Sequence, residues 1–458
     1  MKDKTQSKGS FIKGAALIAA GGFFAKIIGA LYRIPLTNLI GGHGIGLYQL
    51  VYPVYCLLLT VSATGIPSSI AKLTAERLGK GQSDKPLFKT AMKLFLLIGL
   101  VGSVLMAALA PFLASAQGSR EVLGGYFTLA PSVLLVSAIS VFRGWFQGRN
   151  DMFPTALSEV TEQIVKVAFG LLFAYLFRDN VEKAVVFLLL SVSISELFAL
   201  VLMIALYKRS PASKERGNEG GRVAMKSVLR LSIPVTFSSL LIPLSGLIDS
   251  VLAVRLLGGY AADPVALYGL FSGGAVTIIN LPVSVCYGIA AASIPAVATA
   301  KAKAEEGKNA SVKKRLFFSL GITVLVSLPS AVGLYYFAEP AAKIIFRSLS
   351  GEELQTLVKL VKIFSLSAFT LSCAQTLSAC LTAQGKPQCA AISMAIGITV
   401  KTVVYVFLLR DPKFSVFGLA HATNIGYLVA FLLNFVYNLI VSKKRRRKAN
   451  DNGDRSGE

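Results

Sequence analysis

PTALSEVTEQIVKVAFGLLFAYLF, residues 154–177, is the stretch on which the fold turns. Its length suits a bilayer crossing, which takes about 20 predominantly apolar residues. Yet it carries Glu159, Glu162 and Lys166. At 100° per residue the three fall within about 60° of one another, on one helix face. Glu162 and Lys166 are spaced i, i+4 with the acid first, the better order for an ion pair. Lys166 comes twelve residues after Pro154, about 18 Å at 1.5 Å per residue. A charge that deep costs about 2.5–3.5 kcal/mol on insertion scales, so it faces a wet cavity or a partner. Two readings stand. One is a cavity-lining cluster that handles cargo or protons; the other is a self-satisfied pair that pins this helix to a neighbour.

Working outward, the pattern recurs. Lys26, Glu196, Asp249 and Lys401 also lie inside stretches of roughly twenty apolar residues. The chain of 458 residues is 54% hydrophobic and 15% charged, the composition of a polytopic membrane protein and not of a soluble one. A formal charge of +24 would suggest nucleic acid in a soluble chain. Here the Lys and Arg residues cluster in alternate loops, and no nucleic-acid partner is expected. Cys56, Cys286, Cys373, Cys380 and Cys389 lie in apolar segments without a CxxC pair, which indicates neither a disulfide frame nor a zinc site. The basic N-terminus has the start of a signal peptide, but Lys13 and Lys26 interrupt the apolar run. It reads as an uncleaved first membrane helix.

Twelve spans are expected, at 11–34, 45–75, 88–115, 122–147, 154–177, 183–207, 228–254, 266–298, 314–337, 358–384, 387–409 and 416–441. The second and eighth are long and contain Pro53, Pro67, Pro282 and Pro295, where they are expected to bend or end. Residues 338–357 read as a short surface helix. One set of loops is rich in basic residues, among them Arg77, Lys80, Lys85, Arg149, Lys208, Arg209 and Lys443 to Lys448. The opposite set is sparse, with Arg120, Arg178, Lys183, Lys343, Arg347, Arg410 and Lys413. The positive-inside rule therefore places both termini in the cytoplasm. The run at 443–448 reads as an anchor attracted to anionic membrane lipid.

The chain also repeats itself. LIGGHGIGLYQL at 38–49 matches LLGGYAADPVALYGL at 256–270, and the fourth spans of each half end in Gln147-Gly148 and Gln384-Gly385. Lys166 and Lys401 sit in similar settings, QIVKVAF and GITVKTVV. The expected organisation is an N-terminal lobe at 1–207, a cytoplasmic linker at 208–227, a C-terminal lobe at 228–441 and a basic tail at 442–458. A parallel repeat relates the two lobes.

Other candidates follow from depth. Arg33 closes the first span, as cavity residue or interface anchor. Asp249 is deep enough to be a countercharge to Lys26 or Lys401 and a protonation site. Arg255 is the symmetry analogue of the Arg33 region. Glu196, alone on its span, is a second ion-coupling candidate. Arg143 reads equally as anchor or gate. His421 reads as a packing histidine, and His43 has no metal partner at ligand spacing. Gly42, Gly44 and Gly46 do not complete a GxGxxG and point to close packing and a hinge between the first two helices. No P-loop, HExxH or Ser-His-Asp set is present. The chain is therefore expected to be no enzyme and to need no cofactor, with an ion gradient, membrane potential or cargo gradient as driving force.

FFAKIIGALYRIPLTNLIGGHGIGLYQLVYPVY (23–55), GIPSSIAKLTAERLGKG (65–81) and FRGWFQGRNDMFPTALSEVTEQIVK (142–166) together resemble the stage V sporulation protein B family. That family lies in the multidrug/oligosaccharidyl-lipid/polysaccharide (MOP) exporter superfamily, and the resemblance runs over nearly the whole chain. It implies an all-α, MATE-like bundle of two six-helix lobes. It also implies a flippase for an undecaprenyl-linked sugar such as a peptidoglycan precursor, with cell-wall synthesis enzymes as further partners. Related flippases carry a basic residue in the first helix in the pattern F-S-R-x-x-G. Phe24-Ala25-Lys26-Ile27-Ile28-Gly29 matches it, so the resemblance gives Lys26 that cationic role. The next basic position of the pattern falls at Tyr32 or Arg33. Many members have fourteen helices and this chain has twelve expected spans.

The physical logic agrees. A diphosphate-sugar headgroup is anionic, and Lys26, Arg33, Lys166 and Lys401 on inner walls would replace its water. Two other functions stay open. A cation-coupled drug antiporter would favour carboxylates and aromatic walls. A non-transporting scaffold for cell-wall or sporulation enzymes would tolerate charge reversal at Lys26 or Lys166.

Overall fold

The computed structural model describes residues 2–61, 66–211, 228–229, 239–305, 312–349 and 351–454, with side chains from Ile28 to Val441 except at Ala30, Pro295 and 302–305. Every regular element among them is helical. In order they are α1 (Lys2–Leu59), α2 (Ile66–Gly79), α3 (Lys85–Ala116), α4 (Leu123–Gly148), α5 (Phe153–Leu176), α6 (Val181–Arg209) and α7 (Leu241–Leu257). There follow α8 (Pro264–Gly269), a π-helical turn (Leu270–Ala275), α9 (Val276–Glu305), α10 (Val312–Tyr336), α11 (Ala338–Ile345), α12 (Gly351–Ala383), α13 (Pro387–Leu409) and α14 (Phe417–Asp454).

Among the described residues, eight helices are long and apolar enough to cross a membrane, from Lys85–Ala116 to Phe417–Val441. α5 is not one of them, because any 18-residue window of it holds all three of Glu159, Glu162 and Lys166. The helices are apolar on both sides. On α3 the residues Leu87, Ala91, Leu94, Met106 and Ala110 recur at helical spacing and are buried. On its other face Leu97, Val104 and Phe112 are exposed, Phe112 by 70%. Polar side chains such as Ser132, Ser191, Asn434 and Asn438 lie inside. Apolar surface outside and polar groups inside fit a hydrocarbon solvent.

Two compact units divide the chain, Met1–Gly258 with Ala262–Gly269, and Gly259–Ala261 with Leu270–Glu458. Each has a central helix with the same set of neighbours. In the first unit α4 packs on α2, α3 and α6, and α5 packs on α6. In the second α12 packs on α9, α10 and α14, and α13 packs on α14. The neighbours occur in the same chain order. α7 and α8 both pack against α1, which groups them with the first unit.

The second expected span breaks where Pro67 was expected to end it, since α1 stops at Leu59 and α2 starts at Ile66 with Pro67 in its first turn. Other breaks fall at glycines. α1 changes direction at Gly41, whose φ of +69° is open to glycine at little cost. The eighth expected span is irregular at Leu270–Ala275, LFSGGA, ahead of Pro282. In the second unit α14 is stitched to α12 through backbone carbonyls. Asn424 Nδ2 donates to Ile363 O at 2.7 Å, Asn434 Nδ2 to Ala374 O at 3.1 Å, and Asn438 Nδ2 to Leu377 O at 3.0 Å. Such bonds substitute for the hydrophobic drive that is missing between helices in lipid.

Candidate functional site

Proline starts α5 at its first turn, where the missing N–H is no loss. The helix then places Ser158, Glu162 and Lys166 one above another at four-residue spacing. Arg143 reaches them from α4. Its Nε donates to Ser158 Oγ at 2.9 Å, and its Nη2 makes a short charged contact with Glu162 Oε1. The two side chains are 13% and 14% exposed. The ion pair that the i, i+4 spacing suggested within α5 is therefore not the one Glu162 makes. The fork of a guanidinium takes a hydroxyl and a carboxylate at once, which an ammonium on a flexible stem does less well.

One turn further along α5, Lys166 lies within the electrostatic reach of Glu196, Glu162 and Arg33. Glu196 projects from α6 and is 6% exposed. Tyr55 Oη donates to its Oε1 at 3.3 Å, while Oε2 has no hydrogen-bond partner among the described residues. Tyr55 ends a ladder on α1. The Tyr48 and Tyr52 rings stack with centroids 5.1 Å apart, and Tyr52 meets Tyr55 at 5.7 Å. Arg33, half-buried, acts on Tyr48 and Tyr52 from the preceding stretch of α1. Glu159 acts on Arg143 beside Glu162.

Four helices thus bring together Arg33, Arg143 and Lys166 with Glu159, Glu162 and Glu196. Fully ionised, the cluster sums to zero charge. One proton on any of the carboxylates leaves it cationic, so proton uptake and anion affinity rise together.

The remaining predicted residues lie elsewhere. Asp249 is half-buried on α7, beside Ser250, whose Oγ accepts from Gln117 Nε2 at 3.1 Å. Arg255, in the last turn of the same helix, is exposed. Lys401 belongs to the second unit and is 5% exposed, with its stem against Gly426 of α14. The Lys26 side chain lies outside the described residues. His421 is exposed, not packed as its sequence setting suggested. The sequence reading left out the tyrosine ladder and gave Arg143 no role in the cluster. Tyr48, Tyr52 and Tyr55 are spaced i, i+4, i+7, a one-face pattern visible in the string itself.

The model for the family described as polysaccharide biosynthesis protein matches residues 11–301. The chain belongs to the polysaccharide biosynthesis protein family. A second model, MatE, matches 234–408 of this family member. Stage V sporulation protein B of Bacillus subtilis (strain 168) is 27% identical, over 93% of this chain and 83% of that one. Lipid II flippase MurJ of the same organism is 23% identical, over 93% of this chain and 82% of its own. Among solved structures, an inward-facing multidrug resistance MATE family transporter of the MOP superfamily aligns with a TM-score of 0.77 at 16% identity. That alignment covers 92% of this chain and 96% of the transporter. The family member is thus a multi-span membrane protein with an all-α, MATE-like fold.

Proposed function

We propose that this protein is a flippase that moves an undecaprenyl-linked oligosaccharide or peptidoglycan precursor across the bacterial cytoplasmic membrane by alternating access. The observation that carries the reading is the mixed-charge cluster of Arg33, Arg143, Lys166, Glu159, Glu162 and Glu196. Arg33, Arg143 and Lys166 supply donors for a diphosphate, and Arg suits bidentate contact with it. Lys26, whose side chain lies outside the described residues, is included in the proposed cationic set on its sequence pattern alone. Asp249, Arg255 and Lys401 belong to the proposed translocation path rather than to this cluster. The polyprenyl tail stays in lipid while the headgroup crosses. Both termini are cytoplasmic on this reading, following the excess of Lys and Arg in alternate loops. The described helices are compatible with twelve crossings; two six-helix lobes at 1–207 and 228–441, joined by a linker at 208–227, are part of the proposal.

No bond is made or broken in such a cycle, so the protein is a transporter and not an enzyme. A proton on Glu196 or Asp249 couples it to a gradient. The test is translocation of defined lipid-linked sugars in proteoliposomes. Lys26→Ala and Lys166→Glu are expected to abolish flipping while the protein still inserts. Normal flipping by both would sink the proposal. Glu196→Gln is expected to flip without regard to the proton gradient, because Gln still accepts from Tyr55 but cannot ionise. Asp249→Asn serves as the parallel arm.

One observation favours a second reading. Glu196 beside Tyr48, Tyr52 and Tyr55 joins a carboxylate to aromatic walls, the combination that suits an organic cation. Proton-driven efflux of a cationic dye, with no movement of lipid-linked sugar in the same vesicles, would decide for it.

A further inference from the structure

His43 stands just past the break at Gly41, away from the charged cluster. Both of its ring nitrogens meet carboxylates. Nδ1 lies 2.8 Å from Asp263 Oδ2, and Nε2 lies 2.8 Å from Glu121 Oε2. A neutral imidazole has one N–H and one lone pair. Between two carboxylates it would hold one and push its lone pair at the other. Only the protonated ring donates to both.

The three residues come from separate stretches. His43 is on α1, Glu121 lies between α3 and α4, and Asp263 immediately precedes α8. Asp263 also works locally, since its Oδ1 accepts from the Ala266 N–H at 2.8 Å and so caps α8. Beneath this bridge the backbones of α1 and α8 touch with no side chain between them. A methyl group at Gly46 would overlap the Val265 carbonyl oxygen, and one at Gly269 would overlap the Gly42 carbonyl oxygen. Val265, Ala266 and Tyr268 of α8 are buried around this contact, so its opening is a local loosening that amide exchange can read. The ring's other neighbour, α6, meets this turn at Gly44 through apolar Val181. The charges that act on His43 are those of Glu121 and Asp263.

We infer that His43, Glu121 and Asp263 form a proton-operated latch that fastens α8 to the turn of α1, and that loss of one proton releases α8. With the ring charged, the group reads minus–plus–minus and holds. With the ring neutral, two carboxylates face a ring that can satisfy one of them. The side chains are 36%, 48% and 46% exposed, so the latch is weak and reversible, as a switch must be. Burial works against the charged ring, but the bonds to Glu121 and Asp263 and their negative charges outweigh it and raise the His43 pKa above its ordinary value of 6.5. The sign follows. The latch is complete below that ordinary value and is lost as pH rises through the higher pKa of the folded protein. Its consequence for transport rests on the proposed function; the latch itself does not.

The test therefore needs no transport. His43 and His421 are the two histidines of the chain. In untagged His421→Gln protein in nanodiscs, 15N-histidine NMR reads the His43 charge, and hydrogen exchange reads the amides of 265–269. The ring should titrate above 6.5. Exchange in α8, corrected for intrinsic rates, should rise several-fold as the ring deprotonates, within about pH 6–9. His43→Gln should exchange fast at every pH. Glu121→Gln, which leaves the α8 cap untouched, should move the midpoint to lower pH. Exchange in α8 that ignores the ring's titration, or a Glu121→Gln midpoint equal to wild type, overturns the latch. Failure to flip lipid-linked sugars alongside a normal α8 titration overturns the function proposed above and not the latch.

Discussion

Arg143 and Glu162 form a largely buried pair, and the fork of Arg143 also binds Ser158. Removing one member of such a pair leaves the other charge without compensation, at about 3–5 kcal/mol. Arg143→Ala should lower stability by that order in thermal or denaturant unfolding in detergent. The double change Arg143→Met with Glu162→Gln should recover most of the loss, because both charges then leave together. Equal losses in the single and double variants would show that the pair is not coupled. The sequence showed Glu162 and its depth but not this partner. Short-range spacing is legible in a string, and Glu162–Lys166 was the spacing on view. Arg143 lies 19 residues away, across the turn between α4 and α5, and only folding brings it alongside. Glu196 carried the opposite signal. A lone carboxylate in an apolar stretch stands out by itself, and it does lie in the cluster.

At the scale of the helix, close approach governs what the sequence allows. α13 and α14 meet at Gly397 and Gly426, where a Cβ on Gly397 would come 2.6 Å from the Gly426 carbonyl oxygen. Gly397→Leu should force the two helices apart and cost about 1–3 kcal/mol or more, the range for overpacking. Asn438→Leu offers a graded comparison. It removes bonds to Leu377 O and Asn434 O and the one accepted from Gln384, each worth about 0.6 kcal/mol in a membrane interior. Melting temperatures of the two variants should fall in the order Gly397→Leu below Asn438→Leu. The reverse order would mean that the polar stitches of α14 to α12 matter more to stability than the close backbone approach of α14 to α13. Spans were easy to read because length and apolarity are local. Breaks were harder. Of the prolines singled out, Pro67 does open a new helix while Pro53 and Pro282 lie within helices, and Gly41 and the LFSGGA turn carry the other irregular backbone. A proline inside a membrane helix can be accommodated by its surroundings, while the positive φ at Gly41 falls in the gap between the first two expected spans, where hydropathy located the break but not its residue.

At the scale of the whole molecule, duplication and orientation are separate claims with separate support. Duplication was read from short matched segments, and each compact unit has the same neighbour scheme around α4 or α12. Orientation rests on charge alone. Arg77, Lys80, Arg149, Lys208 and Arg209 lie at one set of helix ends, and Arg120, Arg178 and Arg410 at the other. The bias arises at insertion, where basic residues near a span resist translocation, so it is a property that packing within the fold does not record. Thiol accessibility in intact cells reads it directly. Arg120→Cys and Arg410→Cys should react with a membrane-impermeant maleimide added outside. Lys80→Cys and Lys208→Cys should react only after permeabilisation, each compared with the parent protein and its native cysteines. The same experiment bears on the latch. Glu121 adjoins Arg120 in sequence, so labelling of Arg120→Cys from outside would put His43, Glu121 and Asp263 at the external end, where external pH sets the charge of the ring. Labelling of Arg120→Cys only from within would invert the topology, place the basic loops outside and hand control of the latch to cytoplasmic pH.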